Sequence, residues 1–199
     1  MNNAAVDQVE SRDIVVIGAS AGGVETLQRL VAALPPDLPF VFFVVLHIAA
    51  HGSYLPEILT RAGSYEATHP QDGDTPARGH IAVAPPNLHL VIEGGVIRLQ
   101  QGARHAGARP AIDPLFESAA TEFGPRVIGI ILSGSLHDGA AGLAAIEAQG
   151  GLAVVQDPEE ATHRSMPDAA IAACPDAKVL PVADIATFLD SLASSQSLA

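Results

Sequence analysis

Three short stretches of the chain hold side chains whose types and spacing suit acyl-transfer chemistry. Gly18-Ala19-Ser20-Ala21-Gly22-Gly23 satisfies Gly-x-Ser-x-Gly, a pattern that presents a serine hydroxyl on a tight turn between a strand and a helix. Two other readings of this stretch stay open: Ser20 as an ordinary cap of the following helix, and a phosphate cradle made by glycines at a helix N-terminus. The cradle lacks Gly-x-Gly-x-x-Gly and a Walker lysine, since the only lysine is Lys178. His47 directly follows the apolar run Phe40 to Leu46, and an imidazole that titrates near neutrality can take a proton from a serine. Taken alone, it reads equally as a loop histidine. His47 and His51 are four residues apart and could share a helical face as metal ligands. Ile48, however, stands where His-Glu-x-x-His needs its glutamate, and no third ligand is near, so no metal is expected. Leu132-Ser133-Gly134-Ser135-Leu136-His137-Asp138-Gly139 follows another apolar run. Its Asp138 either orients His47, caps the next helix, or does both, with Asp113 and Asp157 as competing acids.

These residues meet only if the elements before them share an edge. Asp13 to Gly18 is a continuous apolar run, and Val24, Leu27, Leu30, Val31 and Leu34 follow at helical spacing up to Pro35-Pro36. Phe40 to Leu46 is a second buried strand, Tyr54 to Ala62 a weak helix, and residues 63 to 78 a loop with at most a short strand at Glu66 to His69. His80 to Ala84 is a strand. Leu88 to Ile92 and Val96 to Leu99 flank Glu93-Gly94-Gly95 as an antiparallel hairpin. Ile112, Leu115, Phe116, Ala119, Ala120 and Phe123 mark a helix face with Asp113 near its start. Val127 to Leu132 is a strand, Ala140 to Gln149 a helix ended by Gly150-Gly151, Leu152 to Val155 a strand, Pro167 to Ala173 a helix and Val179-Leu180 a short strand. Asp184 is expected to cap a last helix through Ile185, Phe188 and Leu189.

Alternating strands and helices predict an α/β fold: a doubly wound, mostly parallel sheet with helices on both faces and one small antiparallel hairpin. In such sheets ligands bind beyond the carboxyl ends of the strands. Ser20, His47 and Asp138 each fall just past the end of a different strand, and the order Ser, His, Asp is no obstacle because the same geometry recurs on unrelated scaffolds.

At 199 residues, 48% apolar and 16% charged, the chain suits one domain with a large core. We expect a polar tail over 1–11, a single domain over 12–190 and a flexible serine-rich tail over 191–199. The net charge of −12 argues against a nucleic-acid partner. No apolar stretch is long enough to span a bilayer, there is no secretory h-region, and the single cysteine, Cys174, suits a reducing cytoplasm.

Ile17-Gly18-Ala19-Ser20-x-Gly22-Gly23, His47, Ala82-Val83-Ala84-Pro85, Arg109-Pro110-x-x-Asp113-x-Leu115-Phe116, Asp138-Gly139-Ala140, Gly150-Gly151 with Gln156-Asp157, and Met166-Pro167 stand in this order along the chain. From about Ile14 to Leu189 the sequence resembles the catalytic domain of the bacterial chemotaxis protein-glutamate methylesterases, the CheB family. The resemblance implies a serine hydrolase without a cofactor that converts glutamate methyl esters on the cytoplasmic helices of chemoreceptors to glutamate and methanol. Deamidation of receptor glutamine is a weaker implication. It also implies Ser20 as nucleophile, His47 as base and Asp138 as acid, with backbone N–H groups at Ala21 and Ser135 as oxyanion donors and Arg109 near the substrate.

The chain departs from the family pattern at Ala21 (usually threonine), Leu46 (glutamine), Ser133 (threonine), Ser135 (methionine) and Leu136 (glycine). If that glycine serves a positive φ, Leu136 is strained there. A receiver domain often precedes the family's catalytic domain; here the first strand begins at Asp13, and none is expected. The rival reading is a non-catalytic signalling or binding module on the same scaffold, and a nucleotide-binding domain is a more distant one. An acidic receptor helix would be repelled by the chain on average, so Arg104, His105 and Arg109, the densest basic cluster, are the candidate docking surface.

Overall fold

The structure, a computed structural model, describes residues 11–47 and 52–196. Its elements run β1 (Ile14–Ala19), α1 (Gly23–Ala33), β2 (Val41–Leu46), α2 (Leu55–Ala62), β3 (Glu66–Thr68), β4 (His80–Val83), β5 (His89–Glu93) and β6 (Val96–Gln100). They continue with α3 (Ile112–Phe123), β7 (Val127–Ile131), α4 (Ala140–Ala148), β8 (Leu152–Gln156), α5 (Ser165–Ala173), β9 (Lys178–Leu180) and α6 (Val182–Gln196). Every residue of β1, β2 and β7 is buried, which is why these strands read as unbroken β-branched and aromatic runs rather than alternating ones.

Seven strands form one parallel sheet in the order β3-β4-β2-β1-β7-β8-β9, and β5 and β6 pair as a separate antiparallel ribbon. Successive side chains point to opposite faces. Val15 and Ile17 of β1 therefore join Phe42 and Val44 beneath α1, α2 and α6, whereas Val16 joins Phe43 and Ile131 beneath α3, α4, α5 and the ribbon. The sheet is thus wound on both faces, as the sequence predicts.

Register decides where the loops emerge. Ala19 of β1 lies opposite Leu46 of β2, and Gly18 lies opposite Ile131 of β7. The chain moves from β1 out to β2 and β4 on one side, then returns to β7 on the other, so the winding reverses beside β1 and opens a crevice at its carboxyl end. The loops after β1, β2 and β7 all reach that crevice.

The carboxyl terminus differs from expectation. α6 starts at Val182 rather than at an Asp184 cap and runs through the anticipated boundary at 190 to Gln196. Ile185, Leu189 and Ala193 share its buried face, and the serines do not break it: Ser191 and Ser195 donate their hydroxyls to the carbonyls of Phe188 and Ser191 within the helix. The tail expected over 1–11 lies outside the described residues except for Ser11. Among the described residues, no helix is long and apolar enough to cross a membrane.

Candidate active site

The turn after β1 is tightened by backbone bonds. Gly23 N–H donates to Ser20 O at 2.8 Å, and Gly22 takes φ 74° at the N-terminus of α1, a left-handed conformation that glycine adopts without a Cβ penalty. Ser20 N–H donates to Ser133 O at 3.0 Å, tying the turn to the loop after β7. The Ser20 side chain does not cap α1, which carries no side-chain cap. Its hydroxyl instead faces the imidazole of His47, with Oγ 3.2 Å from Nδ1. His47 is itself anchored by its N–H to Ala19 O at 3.1 Å.

The other ring nitrogen, Nε2, lies 2.6 Å from Asp138 Oδ2. Asp138 is buried and also accepts the N–H of Ile112 at 2.7 Å on Oδ2 and of Asp113 at 3.1 Å on Oδ1. Burial pushes this carboxyl up, but the bonds from His47, Ile112 and Asp113 outweigh it and hold its pKa below the ordinary carboxylate value. The ionised acid accepts a hydrogen bond from His47 Nε2–H, which leaves the Nδ1 lone pair aimed at the Ser20 hydroxyl. A hydroxyl, an imidazole and a carboxylate are thereby aligned across three loops. Asp138 does not cap α4, whose N-terminal residue Gly139 has no side-chain cap bond.

Asp113, the competing acid, makes no bond to His47. Its Oδ1 accepts the N–H of Gly139 at 2.9 Å and of Gly142 at 2.7 Å, and its Oδ2 lies 3.1 Å from His105 Nε2. Burial raises its pKa, and the nearby Asp138 charge adds to that, against the pull of the Gly142 N–H. Asp157 accepts the N–H of Glu159, away from the histidine. His51 lies outside the described residues. The ligand atoms of His105, Asp113 and Asp138 lie within 4.8 Å of one another, yet every one of these carboxylate oxygens already faces an N–H or ring donor, so a cation there would have to displace protein bonds.

Ala21 follows the serine, and Ser135 follows Gly134 in the loop after β7. Among the described residues neither backbone N–H donates within the protein, and Gly134 packs so closely on Ser20 that an added Cβ would sit 2.9 Å from the serine Cβ. Leu136 takes φ 68° with its side chain exposed, so the strained conformation that the glycine-to-leucine departure raised is present. Arg109 is turned away: its Nε and Nη2 donate to Asn87 Oδ1 at 3.1 and 2.7 Å, and it makes no bond to Ser20, His47 or Asp138. Arg104 is exposed, and His105 is committed to Asp113.

Ser133 and Gln156 have a part that the sequence did not assign. Ser133 Oγ donates to Ala21 O at 2.9 Å and accepts His163 N–H at 3.0 Å, while Ser133 N–H donates to Gln156 Oε1 at 2.8 Å. One hydroxyl therefore holds the serine turn, the loop after β7 and the segment before α5 together. The only signals for it were the placement of Gln156 in a family-like block and of Ser133 where the family pattern has another hydroxyl residue, threonine.

Comparison with known proteins shows what the chain is similar to. A family model described as CheB methylesterase matches residues 15–189. The chain is 38% identical over 185 residues to protein-glutamate methylesterase/protein-glutamine glutaminase 3 of Burkholderia thailandensis, covering 87% of this chain and 49% of that protein. It is 36% identical over 181 residues to protein-glutamate methylesterase/protein-glutamine glutaminase 2 of Anaeromyxobacter dehalogenans, covering 90% of this chain and 53% of that one. The chain thus spans about half the length of these relatives. The crystal structure of the Thermotoga maritima CheB methylesterase catalytic domain superimposes with a TM-score of 0.86 at 28% identity, covering 92% of this chain and 99% of that one.

Proposed function

The chain belongs to the CheB methylesterase family, and on that premise we propose that it is a serine hydrolase removing methyl esters from glutamate side chains of chemoreceptor-type proteins. The observation that carries the reading is the aligned Ser20–His47–Asp138 chain, with Oγ to Nδ1 at 3.2 Å and Nε2 to Oδ2 at 2.6 Å. A serine is a weak nucleophile until a base takes its proton, and the base needs a buried acid to hold its tautomer and its developing charge.

Ser20 Oγ attacks the ester carbonyl as its proton passes to His47 Nδ1. The oxyanion of the tetrahedral intermediate is stabilised by the backbone N–H groups of Ala21 and Ser135, neither of which donates within the protein among the described residues. The intermediate collapses, and His47 returns the proton to the departing methoxide, which leaves as methanol. Water then attacks the acyl-serine with His47 again as base, releasing the glutamate carboxylic acid and restoring the Ser20 hydroxyl. With a glutamine side chain the same steps would expel ammonia. None of them needs a cofactor, and Asp138 stays ionised throughout. The domain spans residues 12–190 together with the rest of α6, and its substrate is the cytoplasmic, methylated helix of a receptor.

The reading is tested by methanol release from a methylated receptor fragment and by hydrolysis of a short neutral ester. Ser20→Ala is expected to remove nearly all of both activities with little change in thermal stability. Parent-like hydrolysis by this variant refutes Ser20 as nucleophile; a parent inert on both substrates points to the non-catalytic module instead.

A further inference from the structure

Neither α3 nor α4 carries a side-chain cap from its own N-terminal residue, although both N-termini lie in the buried floor of the site. Each is capped by the other. Asp138, in the turn that leads into α4, accepts the N–H groups of Ile112 and Asp113 in the first turn of α3. Asp113, in that first turn, accepts the N–H groups of Gly139 and Gly142 at the start of α4. The two exchanges satisfy donors that a helix start otherwise leaves orphaned, and they place a negative charge at each positive helix end.

The fit around this exchange is close. Gly139 takes φ 95°, and a Cβ there would come within 2.8 Å of Ile112 Cγ2, so the turn that carries Asp138 lies directly on the start of α3. The remaining oxygen of Asp113 meets His105 Nε2 at 3.1 Å. The carboxylate of Asp113 is thus held from both sides.

We infer that Asp113 is a positioning residue for the reaction: by capping α4 it fixes the turn that holds Asp138 against His47, and so sets the aim of the imidazole on Ser20. This rests on the esterase reading for its consequence in turnover, but the geometric claim is separable from it. Asp113 donates its backbone N–H to Asp138 and makes no bond to His47 or Ser20. Its effect therefore passes through the orientation of Asp138 alone. A displacement of about 1 Å in such a constellation costs on the order of 10²-fold in rate.

Three proteins are compared: the parent, Asp113→Ala, which loses both capping acceptors, and Asp113→Asn, whose amide oxygen can still accept from Gly139 and Gly142. For a short neutral ester, Asp113→Ala is expected to lower kcat by roughly 10- to 100-fold with KM within about twofold, while Asp113→Asn recovers kcat to within about threefold of the parent. The second readout is the low-field proton resonance of the His47–Asp138 hydrogen bond, observed without turnover. It is expected in the parent and in Asp113→Asn, and lost or broadened in Asp113→Ala. If circular dichroism shows Asp113→Ala to be unfolded, Asp113→Ser, which keeps one acceptor, takes its place in both measurements and is expected to fall between the other two. A kcat for the folded alanine or serine variant within threefold of the parent, with the resonance retained, overturns the inference, as does an asparagine variant as impaired as the alanine one. Should the parent hydrolyse no ester, or Ser20→Ala hydrolyse it at the parent rate, the esterase reading fails while the resonance still decides whether Asp113 positions Asp138.

Discussion

Replacing Asp138 by asparagine separates the charge of this acid from its hydrogen-bonding geometry. Oδ2 faces two donors, Ile112 N–H and His47 Nε2, and Oδ1 faces one, Asp113 N–H. An asparagine can put its single acceptor oxygen in either place. At the Oδ2 position it keeps two bonds and turns its NH₂ toward Asp113 N–H; at Oδ1 its NH₂ opposes Ile112 N–H and keeps His47 only if the imidazole moves its proton to Nδ1, away from the tautomer that accepts from Ser20. The first rotamer is favoured, so His47 keeps the proton on Nε2 and Nδ1 still faces Ser20. What is lost is the charge that stabilises the imidazolium formed during reaction. For charge centres ~4 Å apart at an effective dielectric of about 20, that is ~4 kcal/mol, or roughly 10³-fold in kcat at about 1.4 kcal/mol per decade. This is about tenfold milder than the ~10⁴-fold loss in a serine protease whose Asp→Asn exchange also reverses the tautomer.

The same substitution leaves one buried N–H facing an amide NH₂, which costs about 1–3 kcal/mol and lowers Tm by roughly 2–12 °C for a domain of this size. The sign with pH follows from the direction of the shift. The folded-state pKa of Asp138 lies below its unfolded value, so its ionisation stabilises the fold above about pH 3.9 and that contribution fades as pH falls through the folded value. The Tm gap between parent and variant should narrow accordingly in acid. Kinetics on a short ester and thermal scans between pH 3 and 8 measure both effects. A kcat loss below tenfold removes Asp138 as the orienting acid, and a loss beyond 10⁴ with the His47–Asp138 proton signal gone refutes the rotamer argument.

Leu136→Gly removes a positive-φ strain of about 1–2 kcal/mol against an unfolded-chain entropy cost of about 0.4–1 kcal/mol. Thermal unfolding should show Tm rising by roughly 1–4 °C, and a fall in Tm would mean that the exposed leucine is held by contacts worth more than the strain. Arg104→Glu, at the exposed arginine of the 104–109 cluster, should slow demethylation of an acidic receptor fragment several-fold at low salt, while a neutral short ester is hydrolysed as by the parent. The difference should shrink as salt screens it; equal losses on both substrates would point to a folding or active-site defect, and no loss on either would remove Arg104 from the docking surface.

The fold was legible where one local pattern had one cause. Strands buried on both faces must be apolar at every position, so β1, β2 and β7 announced themselves as continuous runs, and the turn at Gly94-Gly95 marked the ribbon. The serines at the end of α6 look like a tail, and the helix runs through them to Gln196. Only the packing of Ala193 and the hydroxyl bonds back to Phe188 O and Ser191 O reveal that they lie within a helix. The positions of Ser20, His47 and Asp138 were legible for a topological reason, since each follows a strand and parallel strands end at one edge.

Their connections were not legible, because those are made between residues far apart in sequence. Nothing local to Asp138 says that it binds the start of α3, and nothing local to Asp113 says that it caps α4; by local rules each was the cap of its own helix. The exchange has a consequence for the family departures at Ser135 and Leu136. Asp138 is held by α3 and His47, not by the conformation of the residues just before it, so strain at Leu136 need not reach the acid. On the proposed mechanism the loop after β7 thus divides into a half that carries Ser135 and the strained Leu136 and a half tied to two helix starts that carries Asp138. A change in the first half is expected to tune kcat through the oxyanion while leaving the His47–Asp138 bond intact, and a change at Asp113 to do the reverse.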